Sequence, residues 1–191
     1  MTEAPTLRER QAPLKARYES DPESAKLTIT VRSSTEGIDP TKVRIGSDAA
    51  GGVSWDVGAH PMAGGAGDLA CSGDLLLASL AACQEITLRM VAAAMGITLD
   101  EVEVSVHGEI DFRGTMGIDL ETPVGFERIR TEIRVVADAP EDRLQRLAQR
   151  AERFCVVAST LRQSPVMELS FDVGGQADRR TGGQDESRGQ A

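Results

Sequence analysis

Aromatic residues make up only 3% of this 191-residue sequence, so any core must be built from Leu, Val, Ile, Ala and Met. Positive charge is also short: 21 Lys and Arg against 30 Asp and Glu leave a net charge of −9. A nucleic-acid surface needs clustered cations to displace counterions, and no basic patch with interleaved aromatics is found. The acidity therefore reads as a solubility device. The opening stretch, MTEAPTLRERQAPLKARYESDPES, has no apolar segment of the signal-peptide kind. The longest apolar run, around Leu75–Cys83, meets Gln84, Glu85 and Arg89 and reads as far short of a membrane span. Cysteines number only three, and without a leader they point to the cytoplasm, where thiols are more often catalytic or redox-active than structural. No serine nucleophile elbow, HExxH motif or glycosidase-like carboxylate pair occurs, which removes those hydrolase signatures.

What is present is a chain whose periodicity changes several times. Residues 1–25 are polar, apart from a short helix candidate at Leu14–Tyr18, and 174–191 have a composition close to disorder. Between them, 26–173 read as one domain. Lys26–Ser33 alternates, with Leu27, Ile29 and Val31 on one face, and predicts a half-buried strand. Shorter strands are expected at Lys42–Gly46 and Val53–Val57, followed by the Gly-rich loop HPMAGGAGDLA, which lacks a phosphate-binding lysine.

Gly73–Met95 predicts a long helix with Ser72 as N-cap, Asp74 at its positive end and Gly96 as its stop. It is apolar almost all round, which places it centrally. Strands at Glu101–His107 and Arg128–Val135 follow. Pro140 then opens a second helix whose stripe runs Leu144, Leu147, Ala148, Ala151, Cys155. Val166–Val173 alternates again as a last strand. The order βββ-α-ββ-α-β predicts an α+β domain with largely antiparallel sheet. A central helix this apolar needs more cover than one thin sheet, so an intimate homodimer is expected.

Cys83 and Cys155 each fall on the apolar face of a helix. Each alone is most simply a packed core cysteine. Two helices sharing one core could also bring them within disulfide reach, which opens a peroxidatic reading. One thiolate would cleave a hydroperoxide O–O bond, and the other thiol would then condense with the resulting sulfenic acid. A thiolate in apolar surroundings needs a cationic or hydrogen-bonding neighbour. Arg32 and Arg44 are the candidates, since Arg89 lies about 240° round the helix from Cys83. Asp74, nine residues earlier, faces away from Cys83 on a regular helix. Cys71, twelve residues before Cys83, matches no zinc-ligand spacing and reads either as a loop cysteine or as a third redox thiol. His60 is the histidine nearest the cysteines in sequence and would be the base of a thiol-dependent hydrolase. His107 lies on the solvent face of its strand.

The segments SGDLLLASLAAC and ERFCVVASTL, in that order and some seventy residues apart, resemble the two cysteine motifs of the OsmC/Ohr family. These are the osmotically inducible and organic hydroperoxide resistance proteins. The resemblance implies an intertwined homodimer with Cys83 as peroxidatic and Cys155 as resolving cysteine. It also implies reduction of organic hydroperoxides, recharging by dithiols such as lipoylated proteins, and no flavin, haem or metal. The chain departs from the family pattern at Ser72, where proline is usual, and at Asp74, where glutamate is usual. It departs again at Gly73, where the Ohr branch carries glutamate, and at Val156, where Cys-Pro is usual. The alternative function is a non-catalytic dimer whose apolar cleft holds a small hydrophobic ligand.

Overall fold

Leu, Ala and Met dominate the run from Ser72 to Ala94, and such residues lose little on entering a helix. They form one uninterrupted 23-residue helix about which the other elements are arranged. The computed structural model describes residues 4–34, 39–47 and 52–172. Its elements are α1 (Leu7–Ser20), β1 (Val31–Ser34), β2 (Lys42–Ser47), β3 (Ser54–Gly58) and α2 (Ser72–Ala94). Then come β4 (Glu101–Glu109), α3 (Phe112–Thr115), β5 (Arg128–Val136), α4 (Glu141–Phe154) and α5 (Val156–Arg162). Strands β1, β2 and β3 form an antiparallel sheet in that order. β4 and β5 form a second antiparallel ladder, from Glu101 opposite Val136 to Glu109 opposite Arg128. The fold is α+β with antiparallel sheets, as the patterning predicts.

The core lies along α2 in two clusters. Toward its C-terminal end, Leu88 and Ala92 pack with Ile97, Leu147 and Ala151, flanked by Val102 and Val135. The stripe on α4 read from sequence supplies Leu147 and Ala151. Toward the middle, Leu80 packs with Cys155 and Ala158, flanked by Cys83, Val106, Ile129 and Val157. Burying a residue such as Leu88 or Leu147 contributes about 1.5–3 kcal/mol. Gly96, at φ +63°, terminates the helix in the left-handed region, as expected of a glycine there.

Several expectations need correction. The N-cap of α2 is Cys71, not Ser72. The first strand is shorter than Lys26–Ser33, and β1 is exposed along its whole length rather than half-buried. Residues 166–172 form no strand, and Val166, Met167, Leu169 and Phe171 are each at least 85% exposed. Val173, the last residue of that expected strand, lies outside the described residues, as does the 174–191 tail. The physical reason is that a strand needs a hydrogen-bonding neighbour: residues 31–33 have one in β2, whereas among the described residues 26–30 and 166–172 pair with no strand.

Likewise, of α2 only Leu80, Leu88 and Ala92 are buried, while Ile86 and Met90 on its outer side are exposed. The N-terminal extension holds a longer helix than Leu14–Tyr18; α1 is capped by Thr6 and Glu9 and buries none of its residues. Finally, α2 is long and apolar enough by composition to cross a membrane, with mean hydropathy 1.5 over its most apolar window. The Leu75–Cys83 run is short, but the helix that contains it stays apolar past Glu85 and Arg89. Its inner side, however, is occupied by β4, α4 and α5.

Candidate active site

Cys83 sits midway along α2 on the stripe that also carries Leu80 and Thr87, three residues before it and four after. Cys155 does not lie on the α4 stripe, which ends at Phe154. The backbone leaves helical angles at Cys155 (φ −74°, ψ 110°) and re-enters the helix as α5 at Val156. Cys155 is thus the N-cap of α5, and its Sγ accepts a hydrogen bond from the Ala158 N–H at 3.5 Å. Its side chain is 0% exposed, and Cys83 is half-buried beside it in the same cluster. The two cysteines expected to meet are therefore brought together, and both are free thiols.

Their surroundings split them electrostatically. Burial pushes the Cys83 thiol up, but hydrogen bonds overcome this and hold it below the ordinary thiol value. The donors are the Val157 N–H, the Cys155 thiol, the Val156 N–H and the Thr87 hydroxyl. Burial pushes the Cys155 thiol up as well, and the neighbouring Cys83 adds to the rise while the Ala158 N–H opposes it. Cys83 is thus the group poised to ionise, and Cys155 the one that keeps its proton.

The expected arginines are elsewhere. Arg44 on β2 makes a two-point ion pair with Asp56 on β3, at 2.7 and 3.1 Å. Arg32 on β1 stands opposite Gly46 in the register of that sheet. Neither is among the groups that set the acidity of Cys83. The first turn of α5 takes their place, because the amides at a helix N-terminus are unsatisfied and carry positive partial charge. Val156 is the first residue of α5, a position where proline fits without loss. Because this chain has valine where the family pattern has proline, it retains an N–H there, one of the groups that lower the Cys83 thiol. Sequence reading missed these amides and Thr87. The i, i+4 spacing of Thr87 from Cys83 was legible, whereas the break after Phe154 was not.

Asp74, Cys71 and His60 gather at the other end of α2. The Asp74 carboxylate accepts a hydrogen bond from the Cys71 N–H at 2.8 Å, and Cys71 Sγ accepts one from the Asp74 N–H at 3.4 Å. This reciprocal pair is a capping box built on cysteine. The Cys71 amide and thiol hold the Asp74 carboxyl below its usual range, with His60 contributing. Asp74 is therefore a capping residue and does not assist Cys83. His60 accepts the Met62 N–H at Nδ1 (3.1 Å) and stacks on Phe112 at 5.1 Å. It is not positioned as a base for Cys83. At Gly73 an added Cβ would meet Phe126 at 3.3 Å and Cys71 Sγ at 3.4 Å, a tight contact. The position of the Ohr-branch glutamate is thus flanked by a ring and a thiol. Among the described residues, no group of three or more His, Cys, Asp or Glu is placed to hold a metal ion.

Comparison with known proteins agrees with this architecture. The family model described as OsmC-like protein matches residues 65–170, more than half of the chain. An OsmC-like protein from Mycoplasma pneumoniae superposes with a TM-score of 0.59 at 18% identity, over 73% of this chain and 90% of that one. An organic hydroperoxide resistance protein from Elizabethkingia anophelis gives 0.52 at 20% identity, over 73% and 91%. An organic hydroperoxide resistance protein OsmC from Legionella pneumophila gives 0.53 at 18%, over 72% and 90%. No curated protein matches the chain. The matched region spans the end of the Gly-rich loop, the central helix, both long strands and the Cys155 junction, and by that match the chain belongs to the family of OsmC-like proteins.

Proposed function

We propose that this protein is a thiol peroxidase that reduces organic hydroperoxides. The observation that carries the reading is the adjacency of Cys83 and Cys155, with hydrogen bonds that favour ionisation of the first and burial that keeps the second protonated. The Cys83 thiolate attacks the terminal oxygen of ROOH, and the O–O bond breaks. The alkoxide takes up a proton and leaves as ROH, while Cys83 becomes a sulfenic acid. Cys155 then attacks the Cys83 sulfur, water leaves, and a Cys83–Cys155 disulfide forms. An external dithiol, such as a lipoylated protein, returns both to thiols by exchange. The hydroperoxide resistance proteins named above support this reaction class by their shared fold. On this reading no flavin, haem or metal takes part, and the protein works in the cytoplasm in oxidative stress defence.

The functional unit is a homodimer. Two bare apolar segments, 27–31 and 166–171, and the outer side of α2 with Ile86 and Met90 are the surfaces that a second copy would cover. Light scattering on dilution checks this, and a stable folded monomer would refute it. For the chemistry, the reduced protein is treated with one equivalent of cumene hydroperoxide and its peptides are mapped by mass. A Cys83–Cys155 disulfide is expected; if both thiols stay free in folded protein, the peroxidase reading fails.

A further inference from the structure

Beside the N-terminus of α2 lies a cavity of about 700 Å³ that does not include Cys83 or Cys155. Its walls are apolar and aromatic, formed chiefly by Leu76, Leu77, Ile110, Phe112, Val124 and Phe126. The volume lies within the range of pockets that enclose small organic ligands. The chain keeps this space by using glycine at its floor. A Cβ at Gly108 would meet the Phe126 ring at 2.5 Å and Leu77 at 3.0 Å, so any side chain there would displace both walls.

The polar groups of the lining include His60, Cys71 and Asp74. His60 and Asp74 act electrostatically on one another, and Cys71 is hydrogen-bonded to Asp74, so the three stand together. Asp74 is the one residue of the lining that carries a fixed charge at neutral pH; no Lys or Arg contributes. Aromatic faces beside a carboxylate attract organic cations, through the ring quadrupole and through direct charge pairing, and repel anions.

We propose that this cavity is a second binding site, separate from the cysteine pair. It takes a small molecule with an aryl or branched alkyl body and a protonated amine head. The body lies between Phe112 and Phe126, and the ammonium group pairs with Asp74 at the exposed rim, where Cys71 reports its presence. The proposal does not depend on the peroxidase reading, since none of the residues in the cavity takes part in that chemistry.

The test uses full-length protein and the rate of Cys71 alkylation by iodoacetamide, read by peptide mass, with 2-phenylethylammonium as the probe. At millimolar probe the alkylation of Cys71 slows at least threefold while that of Cys83 is unchanged. 3-Phenylpropionate, an anion on the same phenylethyl body, gives no protection. Gly125→Leu uses a lining position whose added Cβ would meet nothing within 4 Å, and the larger side chain fills the cavity and abolishes protection. Circular dichroism confirms that this variant is folded, and Thr115→Leu provides a second filling variant at another lining position. Equal protection by the ammonium and the carboxylate, protection that survives both filling variants, or no protection of the wild-type protein would each overturn the proposal. The last result is also what a second copy of the chain seated in the cavity would produce.

Discussion

Helix α2 carries two thiols on one rigid element, twelve residues and about 18 Å apart, and their surroundings are opposite. Cys71 caps the helix it begins: its Sγ accepts from the Asp74 amide, and it bonds in turn to the Asp74 carboxylate. Cys83 sits in mid-helix, where its own helix offers no amide, and receives N–H groups from the first turn of a different helix. A thiol at a helix start is held by its own carboxylate partner, whereas a thiol facing another helix start gathers donors only. The second environment is the one that stabilises a thiolate. Position on the helix therefore decides less than which neighbouring backbone groups are left over.

The largest effect expected from this contrast is on turnover. Cys83→Ser lowers hydroperoxide consumption by on the order of 10³ or more, because the attacking group is lost rather than weakened; stopped-flow peroxide assays measure it. Cys155→Ser keeps the first turnover and stops recycling through a disulfide, so a dimedone adduct accumulates on Cys83 and can be seen by mass spectrometry. If Cys155→Ser removed the first turnover too, the division of roles between the two thiols would be wrong.

The two thiols should also separate by pH. The alkylation rate of Cys83 rises to its plateau at lower pH than that of an ordinary thiol, about 8.5, and Cys155 does so at higher pH. The sign for stability follows. With its folded value depressed, Cys83 contributes stability that is complete above the ordinary thiol value and is lost as pH falls through the folded value. Cys155, with its value raised, opposes this as pH climbs past about 8.5. Thermal melts of wild type and Cys83→Ala between neutral and alkaline pH would test that difference.

Smaller effects come from single backbone groups. Val156→Pro deletes one donor to Cys83 at a helix position that tolerates proline. The midpoint of Cys83 alkylation should move up by about two pH units at most, since a net hydrogen bond to a charged group is worth roughly 1.5–3 kcal/mol, and the fold should be retained. At the other end, Cys71→Ala removes a cap and costs about 1 kcal/mol, read as a lowered denaturation midpoint. Cys71→Ser should keep most of that stability, since a hydroxyl can cap as the thiol does.

How far this could be read from sequence differs by region. The α2 helix, β2 to β5 and the α4 stripe were legible because each carries its own periodicity, and periodicity reports burial against neighbours in the same chain. Lys26–Ser33 and Val166–Val173 carry equally clear alternation, yet most of the first and the described part of the second form no strand. Alternation states that one face wants cover and does not say whose atoms supply it. The pairing of Cys83 with Cys155 was suggested by two stripes and by the family resemblance. Arg32 and Arg44 were sought because a buried thiolate needs stabilisation. The groups that lower the Cys83 thiol are amides, a thiol and a hydroxyl instead: charge is legible in a sequence and a free backbone amide is not.

Composition and local pattern by themselves determined an α+β chain with a long apolar helix, two cysteines on inward positions and no basic surface. Only the tertiary structure decided that α4 breaks at Cys155, that the first turn of the next helix packs beside Cys83, and that Asp74 serves Cys71 instead. Hydrophobic periodicity is a property of neighbours in sequence, so it survives in the one-dimensional record. A pKa is set by whichever donors and carboxylates lie within a few ångströms, and those come from segments about seventy residues apart that meet only when the core closes.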